Sequence, residues 1–180
     1  MASIYEAFEK NHGQTLKELD RLYEALRKLR YEGKAQRGKN TREIVGMISR
    51  FNHEMAEHLE EEEKILFPFL ERHLPRLQSL IYLLLSEHED FRNSLDRMRS
   101  SLHLLKAGAD ASVTAHQLYQ RGIYFICLLR SHMWVESQNL YKTADRELKP
   151  GEKRELIKCV NKRGSHVAGE KTEPLTVILK

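Results

Sequence analysis

Two copies of one pattern of histidine and glutamate constrain the fold of this 180-residue chain more than any other feature. Each copy has a lone histidine and, 44 to 46 residues later, a histidine followed by a glutamate four positions on. Helical residues four positions apart lie about 40° apart around the axis and about 6 Å along it, so both side chains face the same space. Such a repeat is typical of a metal site inside a four-helix bundle. The six residues are His12, His58 and Glu62, then His88, His132 and Glu136.

Helical periodicity and helix-capping residues divide the chain into four predicted helices with short connections. The predicted helices run from Ser3 to Arg30, from Asn40 to about Arg72, from Pro75 to just before Gly108, and from Ser112 to about Leu148. The first connection is the glycine-bearing stretch 33–38, and Pro68 is expected to kink or fray the end of the second helix. We therefore expect an all-α, antiparallel up-down-up-down four-helix bundle over residues 1–148, followed by a basic C-terminal tail over 149–180.

Counting from the predicted turns places the four histidines of the pattern at one height. His12 lies 18 residues before Arg30, and His58 lies 17 residues after Thr41. Across the other two turns, the residues of the pattern also lie at nearly equal distances from the turn. The difference in height across the third turn is about 1.5 Å at the helical rise per residue. Because helices joined by short turns run antiparallel, residues at equal distances from a turn meet in one layer.

The chemistry of these six side chains favours a site for two metal ions. Imidazole and carboxylate together suit iron, manganese or zinc, and the absence of thiolates argues against a structural zinc site. Six ligands are too many for one catalytic zinc, but they divide into two imidazoles per metal with both carboxylates bridging. We therefore expect a non-haem di-iron centre with an oxo or hydroxo bridge, for which manganese or zinc are possible substitutes.

Two further glutamates flank Glu62, and five further histidines lie elsewhere in the chain. Glu61 and Glu63 point about 100° to either side of Glu62, so they either accept hydrogen bonds from histidine ring N–H groups or are exposed. The remaining five histidines do not share the face or height of the pattern, and we interpret them as structural or solvent-facing. They are His53, His73, His103, His116 and His166.

Charge, hydropathy and cysteine content limit the class of protein. The net charge of +4 belongs to the tail, since residues 1–148 carry equal numbers of basic and acidic residues. A second basic cluster surrounds the first loop, but charge runs are usually solvated helix ends, so nucleic acid is not an expected partner. No apolar run is long enough to span a membrane, no signal peptide is evident, and two cysteines suit a reducing compartment. These features predict a cytoplasmic protein.

The tail over 149–180 is expected to hold a short helix near 152–160 and an apolar segment at 175–179. That segment either packs back on the bundle or forms a dimer or protein-partner contact. The sequence leaves these alternatives open.

The residues around the pattern resemble those of hemerythrin-like (HHE cation-binding) proteins over about residues 3–148. The segment HLEEEEKILFP, which begins at His58 and ends at Pro68, is similar to the family motif H-x-x-x-E-E-x-x-L-F-P. His132, Glu136, Leu140 and Tyr141 form a degraded copy of it. The resemblance implies a non-haem di-iron centre that binds small diatomic or peroxidic ligands.

Two positions depart from the oxygen-carrying hemerythrins. Arg92 stands where those proteins have a further histidine, and Ser137 stands where they have an aspartate. The resemblance therefore does not extend to reversible oxygen carriage. A glutamate at position 136, rather than an aspartate, resembles the sensor, stress-response and repair branches of the family. Arg92 either lies over the site, where it meets a carboxylate or an anionic ligand, or points to solvent.

The function most consistent with these features is a cytoplasmic di-iron protein that binds or senses O2, NO, peroxide or iron. One alternative is a di-iron enzyme acting on peroxide or nitric oxide, or an iron-centre repair protein. Another is a metal-free helical interaction module. The sequence does not decide whether the chain is an enzyme.

Overall fold

The computed structural model describes residues 3–32, 37–107 and 110–167. These residues are almost entirely helical and contain no strand, which confirms the prediction of an all-α chain. The α-helices are α1 (Ile4–Tyr31), α2 (Arg37–Glu61), α3 (Phe67–His73), α4 (Gln78–Lys106), α5 (Ala111–Val135), α6 (Lys142–Glu147) and α7 (Pro150–Val167). A 3₁₀ turn over Pro75–Leu77 opens α4. In the described part of the chain, no helix is both long and apolar enough to cross a bilayer.

The helix starts agree with the predicted caps in one case and differ in two. The Ser3 side chain accepts a hydrogen bond from the Glu6 N–H at 3.4 Å, as a capping box requires. The predicted cap at Asn40 is wrong, because α2 already includes Arg37 and Asn40 is buried inside the helix. The predicted cap at Ser112 is also wrong.

Asp110 caps α5 in place of Ser112. Its carboxylate accepts hydrogen bonds from the backbone N–H groups of Ser112, at 2.9 Å, and Val113, at 3.2 Å. A carboxylate satisfies two free N–H groups at once, and its negative charge is favourable at a helix N-terminus. Asp110, and not Ser112, is therefore the N-cap residue of α5.

Two π-helical turns interrupt the long helices at corresponding places. The first π turn (Glu62–Leu66) separates α2 from α3, and the second π turn (Glu136–Tyr141) separates α5 from α6. Each turn begins at a glutamate of the repeated pattern. The Phe67 N–H donates to the Glu62 carbonyl, five residues back, as is usual in a π turn. Pro68 lies two residues after the end of the first π turn.

The long helices contact one another in a closed ring: α1 meets α2, α2 meets α4, α4 meets α5, and α5 meets α1. The buried apolar residues form two clusters, one including Leu19, Phe51 and Phe125 and the other including Phe67 and Leu140. Along each long helical stretch, the gap between the two clusters contains one residue of the repeated pattern: His12, Glu62, His88 or Glu136. A polar layer therefore lies between two apolar cores.

Helix α7 follows these helices and packs on them. It contacts α1 and the first π turn, and its Leu156 is fully buried in the second apolar cluster. Glu152 of α7 lies 3.4 Å from the ring of His73. This helix is longer than the predicted segment 152–160, while the apolar segment 175–179 lies outside the described residues.

Candidate metal centre

The structure brings all six residues of the pattern into one buried group. His12 comes from α1, His58 from α2 and His88 from α4, while His132 is near the end of α5. The side chain of His58 is 19 % exposed, and the other five side chains are at most 3 % exposed. Both glutamates stand at the first position of a π turn.

Glu136 lies between the imidazoles of His12 and His132. Its Oε1 is 3.2 Å from His132 Nε2, and its Oε2 is 3.3 Å from His12 Nε2. Glu62 lies across the same space: its Oε1 is 3.5 Å from His58 Nε2, and its Oε2 is 3.5 Å from His88 Nε2. The Nε2 atoms of all four histidines therefore face carboxylate oxygens.

These atoms form two groups, each close enough together to hold one metal ion. One group contains Glu62, His88, His132 and Glu136, and within it the ligand atoms lie within 4.8 Å of one another. The other contains His12, His58 and Glu136 at the same spacing. Glu136 belongs to both groups, and Glu62 of the first group also faces His58 of the second through its Oε1. The sharing of both carboxylates between two ions stays a prediction.

Outer hydrogen bonds orient three of the imidazoles. His132 Nδ1 donates to Glu87 at 2.7 Å, and His88 Nδ1 donates to Glu63 at 2.8 Å. His12 Nδ1 lies 3.3 Å from the hydroxyl of Ser137. Because each Nδ1 is engaged outside the group, each Nε2 is directed inward, which is the usual arrangement around histidine ligands.

The flanking charged residues take different roles. Glu63 contacts His88, and Arg92 donates to the same Glu63 oxygen at 2.6 Å, so Arg92 meets a carboxylate beside the group. Glu61 is half-buried, and its negative charge contributes to the raised pKa of Glu62. A role for Glu61 as a hydrogen-bond partner of a histidine ring stays a prediction.

Sequence reasoning missed Glu87, the Ser137 contact and the hydroxyl of Tyr141, which donates to Glu62 Oε1 at 2.7 Å. The role of Glu87 could have been predicted, because Glu87 precedes His88 and points toward the next helix. The contact of Tyr141 could not have been predicted, because Tyr141 lies five residues after Glu136. In an α-helix that step turns the side chain well away, and only the π turn returns it to the same side.

Burial and the neighbouring charges set the protonation of the group. Burial lowers the pKa of His58 to about 4, and burial together with the charge of His132 lowers the pKa of His88 to about 4. Burial also acts to lower the pKa of His132, but Glu136 and Glu87 raise it to about 9. At neutral pH, His58 and His88 are therefore neutral, so each has an unprotonated ring nitrogen that can bind a metal. His88 Nε2 lies 3.3 Å from His132 Nε2.

The two carboxyl groups have opposite shifts. Burial and the charge of Glu136 raise the pKa of Glu62 well above its usual range. Burial acts to raise the pKa of Glu136 too, but His132 and His12 hold it well below its usual range. Glu136 is thus the permanent anion of the group in its ion-free form.

Several buried atoms of the group have no hydrogen-bond partner among the described residues. They are both carboxylate oxygens of Glu136, Glu62 Oε2 and both ring nitrogens of His58. Leaving such atoms unpaired costs about 1–3 kcal/mol each, and more for charged groups. Imidazole and carboxylate atoms that converge without hydrogen bonds are suited to a metal cation. The residues present therefore fit a bound metal.

The sequence model of the hemerythrin HHE cation-binding domain matches residues 3–144 of the chain. This chain belongs to the hemerythrin HHE cation-binding family. No relative was found among curated proteins. The hemerythrin match ends before α7, so the helix that packs on the first π turn lies beyond the matched residues.

Within the hemerythrin domain, the other described histidines lie apart from the centre. His73 stacks on Phe69 and faces Glu152, and His116 accepts a hydrogen bond from Arg30. His53 and His103 are exposed. The side chain of His166 lies outside the described residues.

Proposed function

We propose that this hemerythrin-family chain is a non-haem di-iron protein. Glu62, His88, His132 and Glu136 would hold one ion, and His12, His58 and Glu136 would hold the other, with Glu62 Oε1 also facing His58. The observation that carries this proposal is the position of Glu136. Its two buried oxygens each face an imidazole and have no hydrogen-bond partner in the part of the chain that the structure describes. The proposal includes an antiparallel up-down-up-down order for the four long helices, which the ring of helix contacts supports.

The donor set favours iron and also accepts manganese or zinc, because four imidazoles and two carboxylates suit all three metals. Iron bound there supplies an oxidation-state change and a place for a small ligand such as O2, NO or peroxide. The chain orients the imidazoles through Glu63, Glu87 and Ser137 and excludes bulk water with the two apolar clusters. His58, the most exposed of the six side chains, marks the side from which a small ligand enters.

Binding or sensing of O2, NO, peroxide or iron is the function we favour over catalysis. Helix α7 packs directly on the π turn that begins with Glu62, so a change at the centre reaches a segment outside the matched domain. A protein partner or a second copy of the chain bound through the tail is part of this proposal. Cys127 and Cys159 are exposed and free, which supports a cytoplasmic location.

Metal analysis of three variants tests the di-iron assignment. Purified protein loaded with Fe(II) without oxygen is expected to hold two irons per chain. Glu136→Gln removes a ligand from both groups and should lose both irons. Glu62→Gln removes the carboxylate that faces His58 and His88 and should also lower the iron content. His53→Gln, an exposed histidine in the same helix as His58, is the matched control and should retain two. Stable wild-type protein without metal would support the metal-free alternative instead.

Turnover assays separate sensing from catalysis. A di-iron enzyme of this kind would consume hydrogen peroxide or nitric oxide faster than the His132→Ala variant. Equal rates for the two proteins, with iron still bound to the wild type, support binding or sensing. A wild-type rate well above that of the variant would favour the enzymatic alternative.

A further inference from the structure

The imidazoles of the centre differ in what their outer ring nitrogens contact. His132 Nδ1 donates to the Glu87 carboxylate at 2.7 Å, and His88 Nδ1 donates to the Glu63 carboxylate at 2.8 Å. Both histidines belong to the same group of converging ligand atoms. In that half of the centre, each imidazole therefore has an anionic hydrogen-bond partner.

The outer nitrogens of the other half have different surroundings. His12 Nδ1 lies 3.3 Å from the Ser137 hydroxyl, which itself donates to the Met133 carbonyl at 2.7 Å. The Ser137 oxygen can then accept from His12, and this partner is neutral. His58 Nδ1 is buried and has no hydrogen-bond partner among the described residues. The negative outer partners of the imidazoles are thus concentrated at His88 and His132.

Arg92 makes the two outer carboxylates unequal. Its guanidinium donates to Glu63 Oε1 at 2.6 Å, and the same oxygen accepts from His88. The side chain of Glu87 is 17 % exposed, and no lysine or arginine in the described ranges forms an ion pair with it. Because the positive charge of Arg92 offsets that of Glu63, the negative charge on His132 is greater than the negative charge on His88.

An outer carboxylate changes the ligand strength of an imidazole. A ring that donates its Nδ1–H to a carboxylate is more basic at Nε2 and therefore a stronger metal ligand. Stronger ligands and nearby negative charge both favour the ion of higher charge, so they stabilise Fe(III) more than Fe(II). A neutral hydroxyl at Nδ1 gives a smaller effect, since hydrogen bonds to charged groups are about twice as strong as those between neutral groups.

We propose that Glu87 and Glu63 are positioning residues that make the half of the centre at His88 and His132 the first to be oxidised. Oxidation of this half removes one electron from Fe(II), giving Fe(III), and a one-electron acceptor takes up the electron. Glu87 has the larger effect of the two carboxylates. This inference rests on the proposed di-iron function, and it does not depend on how the two central glutamates are shared.

A redox titration of the protein loaded with two irons tests this proposal, with soluble mediators as the electron acceptors and Mössbauer spectra to count Fe(II) and Fe(III). The wild type should be oxidised in two one-electron steps. Glu87→Gln keeps a hydrogen-bond acceptor and removes the charge. At a fixed potential it should lower the ratio of Fe(III) to Fe(II) in the first step about tenfold, which raises that potential by about 59 mV. The second step should change less.

Glu89→Gln is the matched control, because it removes the same charge from an exposed position of α4 two residues further on. Both of its potentials should stay close to those of the wild type. Equal shifts in Glu87→Gln and Glu89→Gln, or a Glu87→Gln shift confined to the second step, would overturn the proposal. A single two-electron step in the wild type would also overturn it.

Arg92→Met provides an independent check, since it leaves both outer carboxylates in place. It should lower the first potential, because Glu63 regains its full charge beside His88. In the Glu63→Gln background, Arg92→Met should have a smaller effect. An unchanged or raised first potential in Arg92→Met would count against the proposal. A wild type that binds fewer than two irons would instead overturn the di-iron assignment on which the inference rests.

Discussion

Replacement of Gly122 by alanine should destabilise the contact between α1 and α5, the helices that carry His12 and His132. Gly122 is buried in α5 against Leu26 of α1. A Cβ atom at this position would overlap Leu26 Cδ1 and lie 3.2 Å from Cδ2 and 3.3 Å from Cγ. Leu26 is fully buried among the side chains of the first apolar cluster, so moving it would displace neighbouring core residues. The absence of a side chain at position 122 therefore permits the close approach of the two helices.

The size of the effect follows from a comparison with Gly46. Gly46 lies inside α2, and the nearest atom to an added Cβ is the guanidinium of Arg50 at 4.0 Å. Both substitutions gain about 1 kcal/mol of helix propensity, and only Gly122→Ala adds an overpacking cost of about 1–3 kcal/mol. Gly46→Ala should thus be about 1 kcal/mol more stable than the wild type. Gly122→Ala should be about 1–3 kcal/mol less stable than Gly46→Ala.

Urea unfolding followed by far-ultraviolet circular dichroism measures this difference, with all proteins at the same metal loading. The double variant Leu26→Ala with Gly122→Ala provides a second check, because the shortened side chain leaves room for the new methyl group. In the Leu26→Ala background, Gly122→Ala should no longer be destabilising. Equal stabilisation by Gly46→Ala and Gly122→Ala would refute the close approach as the reason for glycine at position 122.

Three further outcomes are expected. Glu63→Gln and Glu87→Gln should each lower metal affinity about 10–100-fold in a chelator competition without removing a ligand. Asp145→Asn should cost about 1–2 kcal/mol near pH 7 in urea unfolding, since Asp145 accepts hydrogen bonds from Ile4 N at 2.8 Å and Tyr5 N at 3.0 Å and caps α1. Burial acts to raise the pKa of Asp145, but the hydrogen bonds from Ser3, Tyr5 and Ile4 lower it. The stabilisation by Asp145 is therefore present above the usual aspartate pKa. The stability difference between Asp145→Asn and the wild type should shrink as the pH falls through the lowered pKa of Asp145. Leu156→Ala should cost about 2–5 kcal/mol in thermal or urea unfolding, and no loss would show that α7 is not packed on the bundle.

Much of the helical content and the grouping of the six residues were predictable from local rules. Hydrophobic periodicity located the long helices, and a constant rise per residue let distances be counted from the turns. The errors lay at helix ends, where Asp110 and Ser112 both suit a cap and Arg37 starts a helix before Asn40. Choices between adjacent capping residues depend on small energy differences that a single sequence does not resolve.

The outer contacts of the centre depended on more than spacing along one helix. Glu87 reaches His132 on another helix, and Arg92 reaches the centre only through Glu63. The sequence left both orientations of Glu63 open, because a position about 100° from Glu62 faces either a neighbouring helix or solvent. Which one it faces depends on how the helices are rotated against each other.

By itself, the sequence determined that four histidines and two glutamates would fall on inward faces at one height, since α-helical geometry is the same along every helix. Only the tertiary structure decided which outer contacts these residues make. Tyr141, at the end of the second π turn, donates a hydrogen bond to Glu62, a residue 79 positions away. The reason is physical: a hydrogen bond between two helices depends on their mutual rotation and spacing, which packing of the whole core sets.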